Sequence, residues 1–189
     1  MDKPKIIAVV GLIGSGKTEA TQRFIARGFT RFGYNDVIYG ELKRRGLERN
    51  EKNERMVREG LRKEFGMAVA ALRKIPEIET AFLRGENVVI ESLYTWSEYK
   101  ATKEKFGDSF RVLAIYAPPD IRYPRLAVRP ARPLTAEEAL SRDYAEIENL
   151  EKGGPIAMAD WTIPNVGALE QFLYPIDKLI DGFTKPPGK

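Results

Sequence analysis

The sequence predicts an α/β fold of three layers, with a parallel sheet of roughly five strands covered by helices on both faces. Three observations carry this. Short apolar, β-branched runs recur along the chain: Lys5 to Val10, Asn87 to Ile90, Phe110 to Tyr116 and Trp161 to Ile163. Helical patterns separate them, as βα crossovers require. The first run passes directly into a glycine-rich turn and then a helix.

Lys5 to Val10 reads as a buried strand because every position after Lys5 is apolar. Gly11 to Gly16 is the turn, and Lys17 to Ala26 the first helix, closed by Gly28. Phe29 to Tyr34 is a short second strand. Asp36 to Arg45 is helical and stops at Gly46. Residues 53–84 read as helix with breaks at Gly60, Gly66 and Pro76. Met56, Leu61, Phe65, Val69 and Leu72 fall at roughly helical spacing within it.

Thr95 to Glu98 is a capping box opening a helix that ends near Gly107. Phe110 to Tyr116 is stopped by Pro118 and Pro119. Ile121 to Val128 is a short helix, broken by Pro130 and Pro133. A second capping box, Thr135 to Glu138, opens a helix to about Leu150, with Gly153, Gly154 and Pro155 ending that segment. Gly167 to Ile180 is the last helix, and the tail from Gly182 to Lys189 reads as frayed. No linker divides the chain, so residues 1–189 read as one domain.

Composition narrows the chemistry. Of 189 residues, 43% are hydrophobic and 31% charged, enough apolar material for a core. The formal charge of +4 and pI of about 9.2 suit a pocket that collects phosphates as well as any nucleic acid. There is no cysteine and no histidine. Disulfides, thiolate nucleophiles, Cys/His zinc sites and histidine bases are therefore excluded. No apolar run reaches membrane-spanning length, and a cytoplasmic location follows as the expectation.

Residues 11–18 read GLIGSGKT, a full match to G-x-x-x-x-G-K-[ST]. Glycines at Gly11, Gly14 and Gly16 let the backbone curl around Ile13 and Ser15, turning N–H groups inward as an anion nest. The following helix points its N-terminus at the same place. Lys17 is placed to reach β- and γ-phosphates, and the Thr18 hydroxyl to coordinate Mg²⁺. The pattern implies ATP with Mg²⁺.

The stretch IIAVVGLIGSGKTEATQRFIARGF resembles the opening of dephospho-CoA kinases and of the adenylate-kinase-like nucleoside monophosphate kinases. Archaeal-type nucleotide kinases related to both are similar as well. YNDVIYGELKRRG, LRKEFG, VVIES, RYPRLAVR, SRDYAE and ADWTIPNVGALEQF continue the resemblance in order, over roughly residues 5–180. It implies phosphoryl transfer from ATP to a small phosphate-bearing acceptor, a helical acceptor region over about 36–84 and an arginine-rich lid over about 122–142.

The resemblance also assigns residues. Asp36 occupies the position of an acceptor-side base or orienter; an aspartate there also serves as a helix N-cap. Glu91 stands where a magnesium-holding carboxylate is expected, although relatives carry aspartate, then glycine and soon an arginine. This chain continues Ser92, Leu93, Tyr94, which leaves the acceptor open. Arg122, Arg125 and Arg129 fall at i, i+3 and i+7, and with Arg132 and Arg142 supply cations; Arg125, Arg129 and Arg132 are the candidates for closing over the γ-phosphate. Arg44 and Arg62 are candidates for the acceptor's phosphate, and Asn165 for the nucleotide base. Trp96 and Trp161 read as packing.

Two other readings use the same motif. One is a nucleotide-dependent switch with slow hydrolysis. The other is a kinase for a nucleic-acid end or base, although no stacking module is recognisable.

Overall fold

A computed structural model describes residues 5–184. Five parallel strands form one sheet in the order β2-β3-β1-β4-β5. They are β1 (Ile6–Val10), β2 (Thr30–Gly33), β3 (Val88–Glu91), β4 (Phe110–Tyr116) and β5 (Trp161–Pro164). β1 is central, with β3 and β4 beside it in register Ala8↔Ile90 and Ala8↔Val112. The glycine-rich turn therefore leaves the carboxyl edge between two strands, where open α/β sheets bind ligands.

Alternation along β1 splits the core. Ile6, Ala8 and Val10 face one side, under α4 (Val69–Leu83) and α5 (Trp96–Phe106), where Ala71, Ile75, Ile78 and Tyr99 pack. Ile7 and Val9 face the other, under α1 (Lys17–Ala26) and α9 (Leu169–Thr184), with Phe24, Phe172, Ile176 and Ile180. A third cluster, Ile38, Leu42, Val57, Leu61 and Val69, joins α2 (Asp36–Arg44) to α3 (Glu51–Phe65). This helical pair stands beside the carboxyl edge. α6 (Pro119–Ala127), α7 (Ala136–Glu148) and the one-turn α8 (Gly153–Ala157) complete the chain.

Both capping boxes form, with Thr95 and Thr135 each accepting the N3 amide and the N3 glutamate returning the bond. Four expectations are corrected. Gly60 and Pro76 interrupt no helix: α3 and α4 run through them. Burial of Ala71, Ile75 and Ile78 on one face outweighs the roughly 3 kcal/mol a proline costs, and the carbonyl it frees is on exposed Leu72. Met56, Phe65 and Leu72 are exposed, so the buried stripe of α3 is Glu54, Val57 and Leu61. Gly153 to Pro155 begin a helical turn, in which Gly154 sits against the Trp96 ring with no room for a Cβ. Residues Gly182 to Thr184 are still helical, and the rest of the expected frayed tail lies outside the described residues.

Trp96 stacks on Tyr99 at 4.9 Å and Trp161 meets Phe183 edge-on, so both serve packing. Among the described residues no helix is long and apolar enough to cross a membrane.

Candidate active site

Gly11, Gly14 and Gly16 all take positive φ, at 142°, 78° and 101°. A Cβ on Gly11 would lie 2.4 Å from the Ile115 carbonyl oxygen, and one on Gly16 2.2 Å from the Asn165 amide nitrogen. The curl therefore needs glycine both for conformation and for space. Ser15 donates its N–H to the Leu12 carbonyl at 3.2 Å, so its amide closes the turn instead of facing an anion. Among the described residues, the N–H groups of Gly14, Gly16, Lys17 and Thr18 have no protein partner, and the last two open α1. That is the donor set an anion nest requires.

Lys17 reaches back across the loop, donating from Nζ to the Leu12 carbonyl at 2.8 Å. Its ammonium pKa is brought down to about 7, chiefly by burial, then by the Lys152 charge, with Glu146 opposing and Arg122 and Arg142 adding. The lysine thus stands in a site already rich in cations and gains most from an arriving polyphosphate.

The loop is braced from behind. Arg122 is only 2% exposed. It donates to the Ala117 carbonyl at 2.8 Å, to the Ile13 carbonyl at 2.9 Å, and through both terminal nitrogens to Asp143 at 3.0 and 2.7 Å. Tyr123 donates to the same carboxylate. Arg122 therefore turns away from any lid face; its planar fork fixes the loop to α7. Asn165 is likewise buried. Its side-chain amide donates to the Ser15 carbonyl at 2.9 Å, and its own carbonyls accept from Arg125. The side-chain amide expected at a nucleotide base is directed here to the backbone of the phosphate loop.

A cavity of about 550 Å³ opens over the nest, lined by Ile13, Lys17, Thr18, Arg125, Arg129 and Gly167 among others. Arg125 lies on α6 and Arg129 beyond its end, where Arg129 donates to the Arg132 carbonyl. Arg132 goes elsewhere. It pairs with Glu51 and Glu54 of α3, each at 3.0 Å, and lines a second cavity of about 630 Å³. The segment after α6 is thereby tied to α3, and Arg132, expected at the γ-phosphate, pairs here with Glu51 and Glu54.

The second cavity carries Arg55, Arg58 and Arg62 from α3, Arg142 and Glu146 from α7, and Tyr94. Burial lowers the Arg62 guanidinium, which marks it as a cation held largely out of water. Arg62 thus lies in the wall of the second cavity. Arg44 does not: its side chain is 71% exposed and paired with Glu41, which it reaches at 2.7 Å. The amphipathic turn of α2 buries Ile38 and Leu42 and leaves Arg44 on the outer side.

Asp36 and Glu91 come together, but around Arg31. Arg31 donates to both Asp36 oxygens, at 3.1 and 3.2 Å, and to Glu91. Asp36 also accepts the Gly33 N–H at 3.2 Å, while Asn35 holds the N-cap position of α2. Asp36 is thus first in the helix rather than its cap. Among the described residues no group of three or more carboxylates suits a metal ion. The Thr18 hydroxyl, at the first turn of α1, is the protein group that would hold a magnesium ion arriving with a nucleotide.

Sequence reasoning missed Arg31, Arg58, Glu146 and Lys152. Lys152 is 1% exposed and donates to Glu146 at 2.6 Å, with its ammonium 4.6 Å from the Tyr94 ring centre. A lysine beside Gly153-Gly154 reads as loop, and no local pattern signals its burial.

Similarity to known proteins agrees with this geometry. The model of the AAA domain family matches residues 7–149. A UPF0200 protein of Thermococcus kodakarensis is 31% identical over 179 residues, 93% of this chain and 96% of that one. Among solved structures, TT1252 from Thermus thermophilus superposes with a TM-score of 0.64 at 21% identity, over 97% of this chain and all of that one. Dephospho-CoA kinase from Campylobacter jejuni superposes with a TM-score of 0.59 at 15% identity, over 98% and 100%. The shared property is the P-loop kinase-like fold.

Proposed function

From the premise that this chain belongs to the UPF0200 family and, over residues 7–149, to the AAA domain family, we propose that it is an ATP-dependent kinase transferring a phosphoryl group to a nucleotide or nucleotide-like acceptor. The observation that carries this is the second, arginine-lined cavity, on whose wall Arg132 pairs with Glu54. A nucleotide hydrolase needs one anion site; a transferase needs two that adjoin. Lys17 feels the charges of Glu146 and Arg142, which both line the second cavity, so the two sites are neighbours.

In this reading the chain is one kinase unit. Gly14, Gly16, Lys17 and Thr18 grip the triphosphate, and Arg125 and Arg129 meet its charge from the lid side. Arg58, Arg62 and Arg142 hold an anionic acceptor. Magnesium, held by Thr18 and the phosphates, would supply charge neutralisation on the β- and γ-oxygens, with Glu91 one strand away as a candidate second support. Asp36 orients the acceptor hydroxyl once Arg31 turns toward phosphate. Catalysis is then positioning and electrostatic stabilisation, with little covalent work by the protein.

One observation favours the switch reading: Arg31 occupies both Asp36 and Glu91, which would slow transfer. ADP release from ATP and Mg²⁺ with AMP, CMP, GMP, UMP or dephospho-CoA separates the two. A kinase gives at least a tenfold stimulation by one acceptor, abolished by Lys17→Met. A rate unmoved by every acceptor, with nucleotide still bound, refutes transfer.

A further inference from the structure

Glu146 and Lys152 form a buried ion pair for which the grip on either ligand, as described above, has no use. Taking both charges out of water costs several kcal/mol per ion, and replacing such pairs with apolar groups is often neutral for stability. Stability alone is therefore a weak reason for this one. Its surroundings are more informative.

The Glu146 carboxylate accepts from Lys152 at 2.6 Å and has Arg142 at 3.7 Å, and it faces the second cavity. Lys152 is reached from behind: its amide donates to the Glu146 carbonyl at 3.1 Å, and its ammonium lies over the Tyr94 ring. Tyr94 lines the same cavity. Its hydroxyl donates to Ser92 at 3.2 Å and accepts from Asn35 at 3.2 Å. One buried ammonium thus ties α7 to the residues that follow β3 and precede Asp36. Two cavity groups of different chemistry, a carboxylate and a phenol ring, are fixed by it.

We propose that Lys152 is a positioning residue for the acceptor: it holds the Glu146 carboxylate and the Tyr94 ring in the wall of the second cavity, so that Glu146 receives an acceptor hydroxyl or amino hydrogen while the arginines take its phosphate. This rests on the phosphoryl-transfer reading and deepens it. The acceptor class it specifies is an anion that also carries a hydrogen-bond donor. The charge states agree. Burial pushes the Glu146 carboxyl up, but Lys152, with Lys17 and Arg142, brings it below the usual range, so it is an acceptor of hydrogen bonds and not a donor.

The test compares Lys152→Met, Lys152→Arg, Glu146→Gln and the Lys152→Met/Glu146→Gln pair with wild type at pH 6.5, where Lys17 is mostly charged. Binding of a non-hydrolysable ATP analogue is measured by calorimetry, and acceptor kinetics with whichever acceptor stimulates wild type. Lys152→Met should lower kcat/KM for the acceptor at least tenfold, mostly through KM, with a clearly smaller change in nucleotide Kd, since the Lys152 charge also reaches Lys17. Lys152→Arg should recover part of the loss. The paired variant should be no worse than the worse single one, since both act on one group. A folded Lys152→Met protein with wild-type acceptor KM overturns the proposal, as does an equal loss for nucleotide and acceptor, which marks a structural role. Should Lys152→Met fail to fold, the paired variant, which leaves no buried charge alone, carries the same comparison. If wild type itself responds to no acceptor, the transfer reading has failed and this proposal falls with it.

Discussion

Replacing Lys17 by methionine should stabilise the nucleotide-free protein near neutral pH while destroying nucleotide binding. The folded pKa of Lys17 is about 7 against an ordinary 10.5. Between those values the unfolded chain binds more protons than the folded one, so stability rises with pH. Below pH 7 the cost of the lowered pKa is fully present, and it is relieved as pH approaches 10.5. At pH 7 the full shift corresponds to about 4 kcal/mol. Lys17 is half-buried as a whole residue, so water screens part of this and about 2 kcal/mol remains. Losing the bond to the Leu12 carbonyl returns about 1 kcal/mol. The Lys17→Met variant should therefore be about 1 kcal/mol more stable at pH 7. Wild type should regain about 1 kcal/mol relative to it by pH 9. Urea unfolding of both proteins at pH 7, 8 and 9 reads this, and the difference between them cancels every other titration. An ATP analogue at 100 times its Kd should add about 2.7 kcal/mol to wild type and nothing to the variant. A variant less stable at pH 7, with a gap that does not move with pH, would refute the assignment of Lys17 to a cation-crowded site.

Two further outcomes separate bracing from binding. Asp143→Ala leaves the Arg122 guanidinium buried and uncompensated, and should cost about 3–5 kcal/mol in urea unfolding; nucleotide affinity should fall with it because the Ile13 carbonyl loses its anchor. Arg62→Ala should weaken the acceptor at least tenfold with nucleotide affinity unchanged, whereas Arg44→Ala should alter neither in the same kinetic assay.

Much of the fold was legible because it is written locally. The apolar run Ile6–Val10 and the glycines after it dictate a buried strand and a curl, and both capping boxes form where their Thr and Glu stand three apart. The lid arginines were legible only as a cluster. Arg122, Arg125 and Arg129 have the spacing of one helix face, but α6 ends at Ala127 and Arg129 lies beyond it, while Arg122 turns to Asp143 and Arg132 reaches α3.

The sequence by itself determined the glycine-rich loop proposed to grip phosphate, since glycine's positive φ, the free amides of a helix start and the lysine that opens that helix are all properties of eight consecutive residues. Tertiary structure alone decided which charges serve the site. Arg122 became a brace, Arg44 a solvent-exposed pair, and Lys152 a buried cation, because the energy of a charge is set by the water it loses and the partners it meets, and those partners lie 3 to 109 residues away in the chain.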